Sequence, residues 1–222
     1  LVRALQSVTV LDRERIREEA LRLKALQSEP DSPDALAALP RLRRTDVPRE
    51  VERIPSEAGR ADGVDVLRHE IFGNGIVYLD CAFDVSHVPE ELQPWLPLLG
   101  KLSRGMGAAG RRYEEMATRI SKAMGRLEVR LASGFGRDGN GTWQRMLFRM
   151  RALHRNIPEA VGLLGDILAA GDLTDRRRME DLVLEKRNSL QAAVIPSGHL
   201  FAQRTAASTQ TLPSLRDEQW NG

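Results

Sequence analysis

The chain has 222 residues with 41% hydrophobic and 29% charged side chains, the composition of an ordinary globular protein and not of a disordered or fibrous one. Thirty-three Lys/Arg against 31 Asp/Glu leave +2 overall, but the sign is uneven: residues 101–155 hold thirteen basic and four acidic side chains, a strip of +9. No run approaches the roughly 20 apolar residues that span a bilayer, a core of this size needs no disulfide or metal staple, and one cysteine favours a reducing compartment, read as the bacterial cytoplasm.

The opening Leu-Val-Arg-Ala carries neither an initiator Met nor a signal-peptide pattern and reads as the start of a segment of a longer protein. From Thr9 to Gln27, apolar Ile16, Ala20, Leu23 and Leu26 recur at helical spacing among charges, and the pattern predicts an amphipathic helix closed by Pro30. Ser32-Pro33-Asp34 restarts a short helix, because Ser caps and Pro suits the first helical position. Residues 41–63 are charged, proline-containing and aperiodic, as expected of an extended connector. Two β-rich runs, 64–72 and 76–83, flank Gly73-Asn74-Gly75 and predict a hairpin about an Asn-Gly turn.

Beyond Pro89 a helix is expected to carry Leu92, Trp95, Leu96, Leu98, Leu99 and Leu102, with Pro94 and Pro97 disturbing its first turns. A second amphipathic helix spans 111–124 and stops at Gly125. Leu127, Val129 and Leu131 then alternate with Arg126, Glu128 and Arg130. After Gly139-Asn140-Gly141 the alternation returns as Met146, Phe148 and Met150 against Arg145, Arg149 and Arg151. Helical patterns follow over 157–170, 174–194 and from Pro196 to about 208. This order predicts an α+β fold, an antiparallel sheet with helices packed on one face.

Catalytic constellations are missing. His69, His87, His154 and His199 have no partner His three or four residues away, so no zinc-binding helix can be written. Cys81 sits in an apolar strand, where a thiol behaves as a small buried hydrophobe. The glycine-rich run 134–141 lacks the Gly-Lys-Ser/Thr of a phosphate loop and precedes a strand, so it reads as a strand connection. Glu180, Asp181 and Glu185, and the triplet 176–178, read as a solvated helix surface. The +9 strip leaves one rival open, a freestanding nucleic-acid-binding α/β module; with 5% aromatics and no recognised motif, nucleic acid is the less favoured partner.

Several stretches together carry a family pattern: Leu23-Lys24-Ala25-Leu26-Gln27, Asp46-Val47-Pro48-Arg49-Glu50, Asn74-Gly75-Ile76-Val77-Tyr78-Leu79-Asp80, Leu92-Gln93-Pro94-Trp95-Leu96-Pro97-Leu98 and Leu184-Glu185-Lys186-Arg187-Asn188-Ser189-Leu190. The chain resembles presequence-protease-type peptidases of the pitrilysin/insulinase superfamily from about residue 10 to residue 208. The resemblance implies a zinc peptidase whose two halves, tied by a helical hairpin, close around a chamber for unfolded peptides. Residues 1–40 would be that hairpin, 41–63 the connector, 64–208 a non-catalytic pitrilysin-type domain, and 209–222 the start of a linker. Zinc would belong to the full-length enzyme and to no residue here. The helix bearing Trp95, Leu98 and Leu99 would replace the zinc helix, and Glu185 would lie on the counterpart of the helix supplying the last ligand.

The partners implied are the remaining domains of the same polypeptide and unfolded peptides, with no membrane. If the sheet face away from the helices borders the chamber, then Arg130, Arg145, Arg149 and Arg151 would meet peptide carboxylates or carbonyls, and such a wall would repel basic targeting peptides. The competing expectation is a solvated face with cross-strand pairs such as Glu128 with an arginine.

Overall fold

The computed structural model describes residues 9–51 and 53–222, and the chain divides into two compact units, residues 1–69 and 70–222. In the first, helix α1 (Val10–Ser28) starts at a capping box. The Thr9 hydroxyl accepts from the Asp12 backbone N–H at 3.2 Å, and the Asp12 carboxylate accepts from the Thr9 backbone N–H at 3.1 Å. The Asp12 carboxyl is held below its usual range by those Thr9 hydrogen bonds. Helix α2 (Pro33–Ala38) is capped by Ser32, whose hydroxyl accepts from Ala35 N–H. Apart from Asp12, the described side chains of this unit are exposed, including Ile16, Leu23 and Leu26 on the expected apolar stripe.

Strands β1 (Glu57–Ala61) and β2 (Val64–Arg68) form an antiparallel hairpin in which Ala61 faces Val64 across Asp62-Gly63. This corrects the expected pairing of 64–72 with 76–83. Asp62 (φ 46°) and Gly63 (φ 84°) supply the two positive φ angles of a tight hairpin link, so the second half of the expected connector is a strand. Asn74 and Gly75 also turn, with Ile76 N–H on Gly73 C=O, but they deliver the chain into β3 (Ile76–Asp84), whose partner lies far along the sequence.

The second unit is built on the sheet β3-β6-β5, where β5 (Arg126–Phe135) and β6 (Thr142–Leu153) are a hairpin and β3 pairs antiparallel to β6. Between β3 and β5, a 3-10 stretch Glu90–Trp95 containing Pro94 leads into α3 (Leu96–Gly105), so the prolines set the helix start at Leu96. Then come β4 (Gly107–Ala108) and α4 (Tyr113–Ala123). After β6 follow α5 (Ile157–Ala170), β7 (Gly171–Asp172), which pairs with β4, α6 (Arg176–Ala193), α7 (Gly198–Ala207) and α8 (Leu212–Asn221). The fold is α+β, as the sequence predicts.

Alternation on β6 sets the core. Gln144, Met146, Phe148, Met150 and Ala152 are buried, whereas Trp143, Arg145, Arg149, Arg151 and Leu153 are exposed. Onto the buried row pack Leu127 and Leu131 of β5, Met116 of α4, Ala160, Leu163, Leu164 and Ile167 of α5, and Trp220 of α8. A smaller cluster joins Leu102 and Met106 to Leu182 of α6. Gly100 lets α3 approach β5, since a Cβ there would lie 2.9 Å from Val129 Cγ1.

Two further expectations are corrected. Trp95 (62% exposed) and Leu99 (40%) do not anchor α3; Leu96 and Leu102 do. Residues 209–222 contain the docked helix α8, not a bare linker start: Trp220 and Arg216 are buried, and Ser133 Oγ donates to Pro213 C=O at 3.0 Å.

Candidate functional site

Period-two geometry places one set of β3, β6 and β5 side chains on the face away from the core. Cross-strand register orders this open face in rows: Tyr78–Arg151–Arg126, Asp80–Arg149–Glu128, Ala82–Leu147–Arg130 and Asp84–Arg145–Ala132. Arg130, Arg145, Arg149 and Arg151 are therefore brought together on one face, all exposed.

They are not equivalent. Arg149 Nε donates to Asp80 Oδ2 at 3.0 Å, and that hydrogen bond, with the charges of Asp80 and Glu128, pushes its guanidinium above the ordinary value. Glu128 is shared with Arg126, Nη2 to Oε2 at 3.0 Å. The expected Glu128–arginine pair is thus present, on the same strand. Arg130, Arg145 and Arg151 have no ion pair among the described residues. A central neutralised row lies between cations that are free to meet an anion.

Elsewhere the basic strip breaks up. Arg111 pairs with Asp166 and Glu115, Arg112 with Glu114, and Arg119 with Glu159, so the α4 cations answer local carboxylates and do not join the sheet face. Arg178 departs from the solvated reading of its triplet. It lies 4.1 Å over the Tyr113 ring and donates through Nε to Gly105 C=O at 3.0 Å, a packing role. Cys81 is half-buried, its thiol pushed up by burial and then by Asp80, the reverse of a nucleophile's environment. Residues 136–141 close the turn between β5 and β6 through Gly136 N–H on Gly141 C=O.

Zinc does not fit the donor chemistry of this segment. Among the described residues no group of three or more His, Cys, Asp or Glu could hold a metal ion, and α3 carries no histidine, aspartate or glutamate. Glu185, on α6, has its carboxylate on Lys101 Nζ of α3 at 2.9 Å and is held below its usual range by that ammonium. A lysine from the neighbouring helix thus takes the carboxylate.

Sequence reasoning missed a second feature, a groove along β5. One recess of about 620 Å³ is walled by α3, α6 and residues Glu128–Leu131, and another of about 450 Å³ continues beside Arg130–Ser133 under α7 and α8. Its walls come from residues up to 120 apart in sequence, such as Lys101 and Asn221, so no local signal marks it.

Comparison with known proteins decides the family. The description of the family associated with peptidases of group M16, subgroup C, matches residues 1–222. The chain belongs to this family. It is 28% identical over 208 residues to Protein HypA of Clostridium perfringens, covering 93% of this chain and 21% of that protein. It is 27% identical over 200 residues to Presequence protease 1, chloroplastic/mitochondrial, of Arabidopsis thaliana (90% and 18%), and 28% over 223 residues to the mitochondrial presequence protease of Danio rerio (100% and 22%). The presequence-protease resemblance read from the sequence is borne out. This peptidase-associated segment spans about a fifth of the length of the curated relatives it matches. No described helix is long and apolar enough to cross a membrane.

Proposed function

We propose that this peptidase-associated segment is a non-catalytic part of a larger zinc-dependent peptidase that degrades unfolded peptides, and that its open sheet face forms part of the wall of a closing peptide chamber. The observation that carries this reading is the gathering of Arg130, Arg145, Arg149 and Arg151 on one exposed face, with Asp80 engaging only Arg149. Exposed guanidinium groups without partners bind carboxylates and carbonyls at little desolvation cost, because they present several donors in a fixed fork. The metal and the reacting groups belong to other domains of the same polypeptide, which are its partners. For the compartment we keep the reducing bacterial cytoplasm, supported by the half-buried free thiol of Cys81.

In the complete polypeptide, the double variant R145Q/R151Q should raise KM for an acidic unfolded peptide about tenfold while leaving kcat within about twofold, as expected when charge-assisted contacts common to ground and transition state are removed. An unchanged KM would overturn the wall. The isolated segment should hold no stoichiometric zinc and hydrolyse nothing; robust turnover would overturn the non-catalytic assignment. Strongly salt-dependent binding of RNA at micromolar concentration would favour the nucleic-acid module instead.

A further inference from the structure

The groove along β5 sits apart from the open-face cations Arg145 and Arg151. Strand β5 pairs only with β6 among the described residues, so its outer edge presents backbone N–H and C=O groups with no strand partner. The two recesses follow that edge over six consecutive residues, 128–133, a length of about 20 Å in extended chain.

Charge in the walls is lopsided. Lys101 is paired with Glu185, and Arg204 with Asp217 at 3.2 Å. Arg104, Arg130 and Lys186 have no ion pair among the described residues. Lys186 is half-buried, and its ammonium is pushed below the ordinary lysine value, first by burial and then by Lys101. A cation partly removed from water beside another cation is the group that an incoming carboxylate relieves most. Trp220, 4% exposed, lines both recesses, and its indole N–H has no acceptor.

We propose that the β5 groove is a docking site for an extended acidic peptide segment, which adds as a strand to the β5 edge and sets a Glu or Asp carboxylate against Lys186. This deepens the chamber reading by naming a substrate class, and it rests on that reading only for the source of the peptide. Main-chain hydrogen bonds supply sequence-tolerant affinity, and the ammonium supplies the preference for acid.

Two blocked hexapeptides that differ only in a central Glu or Gln test it in the complete polypeptide. The Glu peptide should bind about tenfold tighter, the worth of one charge-assisted hydrogen bond. K186Q should bring the ratio near one, K186R should retain it, and R145Q/R151Q should leave it unchanged. Binding should also slow amide exchange across residues 128–133. Equal affinity for the two peptides, a ratio that survives K186Q, or unaltered exchange at 128–133 overturns the proposal. Should the ratio fall in R145Q/R151Q and not in K186Q, the open face is the acid reader and the groove is not.

Discussion

Arg216 of α8 grips Glu90 from the segment before α3 with both guanidinium nitrogens, Nη1 to Oε1 at 2.6 Å and Nη2 to Oε2 at 2.5 Å, across 126 residues of chain. The same side chain, 5% exposed, donates through Nε to Oε1 of buried Gln144 on β6 at 2.7 Å. One residue therefore ties the last helix to the sheet and to the start of the helical layer.

Removing that residue strands its buried partner. R216A should destabilise the fold by about 1–3 kcal/mol, the cost of leaving Gln144 Oε1 without a donor. The double variant R216M/Q144L, which removes donor and acceptor together and keeps volume, should recover most of the loss. Chemical denaturation of the three proteins reads the difference, and a harmless R216A would show that α8 contributes little to the fold.

Acid should loosen the same clasp. The Glu90 carboxyl is pulled down to about 2 from 4.5, chiefly by the Arg216 hydrogen bonds and then by Gln219. A depressed folded-state value means stability that is present above about pH 4.5 and fades as the pH falls toward 2. Wild type should melt above E90Q at pH 6, and the gap should close on titration from pH 4.5 to pH 2. A gap that widens on acidification would contradict this sign.

Gly100 tests the contact between α3 and β5. A Cβ there meets Val129 Cγ1 at 2.9 Å and Met146 Cε at 3.7 Å, so G100V overpacks a tight crossing. We expect a loss of about 1–3 kcal/mol. L163A, at a position 1% exposed in the core, should cost about 2–5 kcal/mol by cavity formation. Urea midpoints for both variants check the ranking.

Asp80 controls the charge of the open face more than its stability. Asp80 and Arg149 side chains are 45% and 44% exposed, so D80N should alter stability by less than about 1 kcal/mol. Freeing Arg149 should tighten binding of an acidic peptide, and 0.5 M salt should erase the gain. Melting curves and peptide titrations at low and high salt separate the two effects.

Strands β5 and β6 were legible because arginines and apolar residues alternate at period two over each of them, and the same alternation placed the four arginines on one face. The hairpin β1–β2 was not. Glu57-Ala58-Gly59-Arg60-Ala61 contains no β-branched or aromatic residue, so the Asp62-Gly63 link lay hidden while the stronger-looking Asn74-Gly75 turn drew the pairing to itself. Helix α8 was hidden for another reason. It docks through Arg216 and Trp220, and an arginine reveals burial only when its partners are known; here they lie 72 and 126 residues away. The β5 groove likewise depends on helices that meet only after folding.

Arg145 and Arg151 stand six positions apart on β6, either side of the neutralised Arg149, which sets them about 20 Å apart. Six residues of helix would cover only about 9 Å. The spacing therefore works as a ruler: acidic groups six positions apart can reach both guanidinium groups only when the ligand is pulled out straight, so this face would tell a stretched chain from a coiled one before any bond is cut.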